Sequence, residues 1–135
     1  SLQYQKMARP NGLAMNLDES VLYVGSSEPK ESHILAFPVA KDGNLGEPSV
    51  FFDAAELAKQ GIRGGYDGMK LDKMGNIWTT GPGGILIISP AGKLLGRIET
   101  GNPNSNVNFG EDGSTLFITS KMNLLRVKTL TKGLK

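Results

Sequence analysis

The chain has 135 residues, 21% charged and 7% aromatic, with a net charge of +2 and no cysteine. That is room for one domain with a core of its own, and it excludes disulfide frameworks, thiolate metal sites and cysteine nucleophiles. Lys and Arg are scattered and no apolar run approaches the roughly 20 residues of a membrane span, so neither nucleic acid nor membrane is an expected partner. The expected location is soluble, cytoplasmic or periplasmic, which cysteine content does not narrow.

Eighteen Gly and seven Pro set between short β-rich runs predict many turns and many strands. Leu2-Gln3-Tyr4-Gln5-Lys6 alternates apolar and polar and reads as a half-exposed strand. Leu13–Met15 and Val21–Gly25 form a first hairpin around Asp18-Glu19-Ser20. Ile34–Val39 follows, and Pro38, which has no N–H for a ladder, predicts its end. The Asp42-Gly43 step turns the chain toward a fourth strand at Val50-Phe51-Phe52.

Residues 53–61 predict the one helix, with Asp53 as its cap, Glu56 completing a capping box and Gly61 as a left-handed stop. A second four-strand unit runs from Asp67 through Trp78, Gly84–Ile88 and Leu94–Ile98. A third runs from Asn106 through Ile118 to Leu124–Val127 and stops after three strands.

The units repeat one plan. An aromatic residue (Tyr23, Trp78, Phe117) follows a polar anchor (Asn11, Asp67, Asn106) by twelve, eleven and eleven positions. Four strands in about 40 residues is the signature of a propeller blade. The predicted fold is therefore all-β: half of a six-bladed β-propeller, with three blades of antiparallel strands and one short inserted helix. The predicted organisation is a spare outer strand at 1–8, a blade at 9–53, the helical insertion at 54–65, a blade at 66–101 and an incomplete blade at 102–135.

In a propeller the innermost strands line a central channel, so Asn11, Asp67 and Asn106 hold equivalent places at its mouth. All three present oxygen, which suits a hard cation such as Ca²⁺ or Mg²⁺. Asp67, the one anion, can serve as metal ligand, general base, or each in turn. The competing explanation is that Asn-Gly and Asp-Gly are turn dipeptides; Asn106-Val107, which keeps the anchor without glycine, speaks against it.

Other residues have plainer explanations. His33 lacks a nucleophile-elbow sequence, and Gly81-Pro82-Gly83-Gly84 lacks the Lys-Ser/Thr of a phosphate loop and reads as a tight turn. The three repeat aromatics read as core between sheets. Asp42, Asp72, Glu111 and Asp112 read as solvated turn residues, while Arg9 and Lys70 flank the anchors and read as surface cations.

Arg9-Pro10-Asn11-Gly12-Leu13-Ala14, Asp67-Gly68-Met69-Lys70-Leu71-Asp72 with Gly75-Asn76-Ile77-Trp78, Gly81-Pro82-Gly83-Gly84 and Asn106-Val107-Asn108-Phe109-Gly110 together resemble the gluconolactonase and senescence-marker-protein (regucalcin) family. The order is kept over nearly the whole chain. The resemblance implies the second half of a six-bladed propeller whose members hydrolyse sugar lactones with a divalent metal, Ca²⁺ above others, in the channel. It implies Asn11 and Asp67 as metal ligands, Asp67 as the catalytic base, and Asn106 as a channel-lining, substrate-binding residue. Tyr66 stands where the family often has Pro. The family's metal-binding Glu and its substrate-holding Arg and Asn belong to the first half, which these 135 residues do not contain.

Two functions compete on this reading: a metal-dependent lactonase present as a half-propeller, and a non-catalytic propeller fragment that self-assembles or binds. The expected partners are a small lactone and either a second copy of the chain, which would close a six-bladed ring as a homodimer, or the missing N-terminal half.

Overall fold

The computed structural model describes residues 1–134 and contains eleven strands and one short helix. The strands form three antiparallel sheets that follow the chain in order. The first is β1 (Pro10–Met15), β2 (Val21–Ser26), β3 (His33–Pro38) and β4 (Ser49–Asp53). After the helix α1 (Ala55–Lys59) comes the second, β5 (Met69–Leu71), β6 (Ile77–Gly81), β7 (Gly84–Ile88) and β8 (Leu94–Ile98). The third has three strands only, β9 (Asn104–Gly110), β10 (Thr115–Ser120) and β11 (Asn123–Lys128). Each sheet is a propeller blade, and three in sequence make half of a six-bladed ring. Among the described residues, no helix is long and apolar enough to cross a membrane.

Apolar alternation along the strands binds one blade to the next. Tyr23, Ile34 and Phe52 of the first sheet pack on Met69, Leu71, Ile77, Leu86 and Ile88 of the second. Ile85, with Trp78 and Ile98, packs on Val107, Leu116 and Ile118 of the third. Each such side chain contributes about 1.5–3 kcal/mol when taken fully from water. Tyr23 and Trp78 lie in these seams as core residues, Tyr23 4.5 Å from Phe51 and Trp78 edge-on to Phe109 at 5.5 Å between ring centres. Phe117 holds the same place in the third blade and is half-buried.

Three expectations need correction. Residues 2–6 form no strand: Tyr4 instead lies edge-on against Phe37 at 5.0 Å, and the Leu45 N–H donates to Gln3 Oε1. A strand exists only as part of a ladder, and this segment pairs with no blade edge among the described residues. The helix cap is also different. Asp53 stays in β4, paired with His33, and Ala54 takes the cap position; Asp53 Oδ1 still accepts the N–H of Ala55, the first helical residue, at 2.8 Å, while Glu56 pairs with Lys59 rather than closing a capping box. Gly61 does end the segment, at φ +77°.

The third correction concerns Asp72, which is fully buried. In all three blades the turn after the inner strand is built on an Asp that accepts an N–H two residues on: Asp18 from Ser20, Asp72 from Met74, Asp112 from Ser114. Asp18 and Asp112 are exposed. Asp72 is covered because the tail at 132–134 returns to the second blade, where the Lys73 N–H donates to the Lys132 carbonyl and the Leu134 N–H to the Leu71 carbonyl.

Candidate functional site

The inner strands β1, β5 and β9 stand side by side, and close main-chain approach sets their mutual register. A Cβ on Gly12 would lie 1.5 Å from the Asp67 carbonyl oxygen, and one on Gly68 would lie 1.9 Å from Asn106 Oδ1. Only glycine permits either contact. Both glycines directly follow a polar anchor, so their role at the turn-like dipeptides is to let neighbouring blades touch. Asn11, Asp67 and Asn106 are thereby brought to one end of three adjacent inner strands.

The ladders are irregular at this level. The β1–β2 register shifts between Pro10 and Leu13, around Asn11, and the β9–β10 register shifts at Ser105, beside Asn106. Bulges of this kind re-aim side chains and concentrate near functional sites.

Asp67 is held most firmly. The Tyr66 N–H before it donates to the Ser26 carbonyl of the first blade at 2.8 Å. The Gly68 N–H after it donates to the Ser105 carbonyl of the third at 3.0 Å. Its own N–H donates to Thr80 Oγ1 at 3.0 Å. Three main-chain bonds to three blades thus fix the residue while leaving its carboxylate free. Among the described residues, neither that half-buried carboxylate nor the Asn11 amide has a hydrogen-bond or ion-pair partner within the chain.

Asn106 is placed differently. Its Oδ1 accepts the Val107 N–H at 2.9 Å, which leaves the amide NH₂ as the group free to meet a ligand. Ser105 Oγ and Thr119 Oγ1 share a hydrogen bond of 2.8 Å beside it. Thr80 and Thr119 escaped the sequence reading; the available signal was a hydroxyl at the end of the second strand in each of these blades.

The remaining candidates lie elsewhere. His33 opens β3 opposite Asp53, away from the anchors. Gly81–Gly84 closes the β6–β7 hairpin as a tight turn with Gly83 at φ +76°. Arg9 is exposed and 3.7 Å from Glu28. Lys70 is half-buried, its Nζ donating to the Met69 carbonyl.

The donor set fits a hard divalent cation in kind: one carboxylate and one amide oxygen, both unengaged. It does not fill a coordination sphere, since no group of three or more acidic or histidine side chains converges among the described residues.

Comparison with known proteins agrees with this architecture. The chain is 41% identical over 130 residues to a gluconolactonase of Zymomonas mobilis, covering 94% of this chain and 36% of that protein. A gluconolactonase structure from Xanthomonas campestris superposes with a TM-score of 0.75 at 30% identity, over 96% of this chain and 39% of that one. A calcium-binding regucalcin structure from Agrobacterium tumefaciens superposes with a TM-score of 0.79 at 21% identity, over 99% of this chain and 50% of that one, a likeness of fold. The chain thus spans half or less of the length of these relatives. The model of the SMP-30/gluconolactonase/LRE-like region matches residues 1–122, and the chain belongs to that family.

Proposed function

We propose that this chain supplies one side of a metal-dependent site that hydrolyses a sugar lactone of the gluconolactone type. The observation that carries the proposal is the state of Asp67: half-buried, anchored through its main chain to three blades, and with no partner for its carboxylate among the described residues. A free carboxylate held this firmly is pre-organised for a ligand or a proton. The Zymomonas mobilis relative bears the gluconolactonase name, and the Agrobacterium tumefaciens structure is described as calcium-binding.

Asn11 and Asp67 would hold the cation, Ca²⁺ in the first instance. When bound, the cation supplies polarisation of the lactone carbonyl. Asp67 takes a proton from the attacking water, whose oxygen bonds to the carbonyl carbon. The ring C–O bond then breaks, the ring oxygen takes up a proton, and an open-chain hydroxy acid leaves. The Asn106 amide NH₂ contacts a substrate hydroxyl. Two protein oxygens fall short of the six to eight that Ca²⁺ takes, so the remaining ligands come from water and from residues beyond this arc.

The test is thermal melting of the purified chain with and without calcium chloride, followed by acid release from gluconolactone. Calcium at 100 times its Kd should stabilise the fold by about 2.7 kcal/mol. Asp67→Ala removes a carboxylate with no hydrogen-bond or ion-pair partner among the described residues, so it should melt normally and show no calcium-induced shift. An equal shift in that variant would remove Asp67 from the metal site.

A further inference from the structure

The loops that lead into β5 and β9 and the tight turn between β6 and β7 enclose a cavity of about 390 Å³. It lies between the second and third blades, at the end where Asp67 and Asn106 stand. Gly65 of its wall is two residues before the first of these, and Asn104 two residues before the second. No acidic side chain lines it. Arg63, Asn102 and Asn104 bring polar side chains, and glycines make up most of the rest. Glu99, whose main chain passes Gly84, is already paired with Arg97.

The walls offer free donors and engaged acceptors. Among the described residues, the N–H groups of Arg63, Gly64, Gly65, Gly101 and Asn102 donate to no main-chain or side-chain acceptor. The exposed Arg63 guanidinium has no ion-pair partner among them either. By contrast, the Gly64 carbonyl accepts Ser32 Oγ at 2.9 Å, and the Asn102 carbonyl accepts both Thr100 Oγ1 and Asn104 Nδ2. Asn104 Oδ1 is taken as well, by Thr100 Oγ1 at 2.9 Å. Ser120 adds an independent sign. It pairs with Asn104 across the ladder, so their side chains share one face of the sheet. By alternation this is the face on which Leu116 and Ile118 pack toward Ile85 of the second blade. Ser120 is fully buried there, and its Oγ has no partner. A buried hydroxyl in that condition calls for a partner the chain itself does not supply.

We propose that this cavity is a subsite for an oxyanion group, a phosphate or a carboxylate. Successive unengaged N–H groups make a concavity that binds anions, and a free guanidinium beside them adds charge-assisted hydrogen bonds. A neutral sugar needs acceptors for its hydroxyl protons, and here three of them are already occupied. The position next to Asp67 and Asn106 lets the subsite hold an acidic substituent of the lactone while the ring lies in the channel. That assignment to the substrate rests on the lactonase reading; the subsite itself does not.

The test is calorimetric titration of the purified chain with inorganic phosphate in calcium-free buffer. Binding should be saturable, and Arg63→Ala should weaken it about tenfold or more, the loss of one charge-assisted contact. Asn102→Asp, which puts a carboxylate into the lining, should abolish it. Lys41→Ala removes the same charge from the turn between β3 and β4 and should leave the affinity as it was. Asp67→Ala removes a nearby anion and should not weaken phosphate binding, so this result is separate from the calcium test. Absence of saturable binding overturns the proposal, as does unaltered affinity in Arg63→Ala or an equal loss in Lys41→Ala. Glucose 6-phosphate then distinguishes the sources of the anion. An affinity about tenfold above that of inorganic phosphate, lost in Asn106→Ala, upholds the substrate assignment. Equal affinity for the two overturns that assignment and gives the subsite to a free anion.

Discussion

Gly12 and Asp67 touch across two blades, the Cα of the first facing the main-chain carbonyl of the second so closely that a Cβ would stand 1.5 Å from the oxygen. That contact brings the main chain beside Asn11, the preceding residue, against that of the residue it is proposed to assist. Gly12→Ala should force the first two inner strands apart and cost more than the ~1–3 kcal/mol typical of overpacking, because the obstacle is main chain and not a movable side chain. It should also remove the calcium-induced melting shift. Gly96→Ala in β8, where a Cβ meets nothing within 4 Å, is the control and should leave both readouts unchanged.

Asp67→Asn separates the two roles given to Asp67. The amide keeps an oxygen for the cation but has no basic site for a proton. Part of the calcium-induced shift should remain, while hydrolysis falls by 10²-fold or more, the contribution usual for a general base. Near-normal turnover in that variant would exclude Asp67 as the base. Asn106→Ala should do the opposite, sparing the calcium shift and raising KM for gluconolactone.

Four exposed acids are held below their ordinary values. For Asp18 and Asp112 the main cause is the hydroxyl of Ser20 or Ser114, for Asp42 the Asn44 N–H, and for Glu111 the Lys128 ammonium. Because the folded values are depressed, their contribution is fully present above the ordinary values of 3.8 and 4.5 and is lost as pH falls through the folded values. Urea midpoints should therefore not change on their account between pH 8 and pH 6, and should fall steadily below about pH 4.5. Replacing Asp18 and Asp112 together by Asn should flatten that acid limb.

Much of this was legible in the chain because turns and periodicity are local. Asp-Gly steps, strand alternation and the recurring aromatic place the blades, and the polar anchors fall at matching points in each. What escaped is non-local. The Asp67 clamp consists of main-chain bonds between blades, from Tyr66 to Ser26 and from Gly68 to Ser105, and main-chain groups carry no residue-specific signal. The alternation at 2–6 is that of a strand, but a ladder partner decides whether the strand forms. Asp72 looks like its exposed counterparts Asp18 and Asp112 until the tail, some 60 residues later, covers it.

That buried carboxylate provides the sharpest stability prediction. Asp72 Oδ1 accepts the N–H groups of Met74 and Asn76, each at 2.9 Å. Its Oδ2 accepts the Asn76 amide at 2.9 Å and the Trp78 indole N–H at 3.0 Å. Asp72→Ala leaves four donors without an acceptor beneath the tail, and each donor left buried and unpaired costs about 1–3 kcal/mol. Water entering the vacated space will satisfy some of them, so the net loss should be roughly 3–5 kcal/mol, the upper end for a single substitution. Asp18→Ala removes the equivalent carboxylate from a solvated turn, where water replaces it, and should cost far less. Denaturant unfolding of the two variants makes the comparison, with Trp78 fluorescence reporting directly on the lost indole bond. Equal destabilisation of the two would mean that the tail at 132–134 does not shield Asp72 in solution. Deleting 132–135 should then bring the wild-type turn to the same exposed state and reduce the gap between the two substitutions.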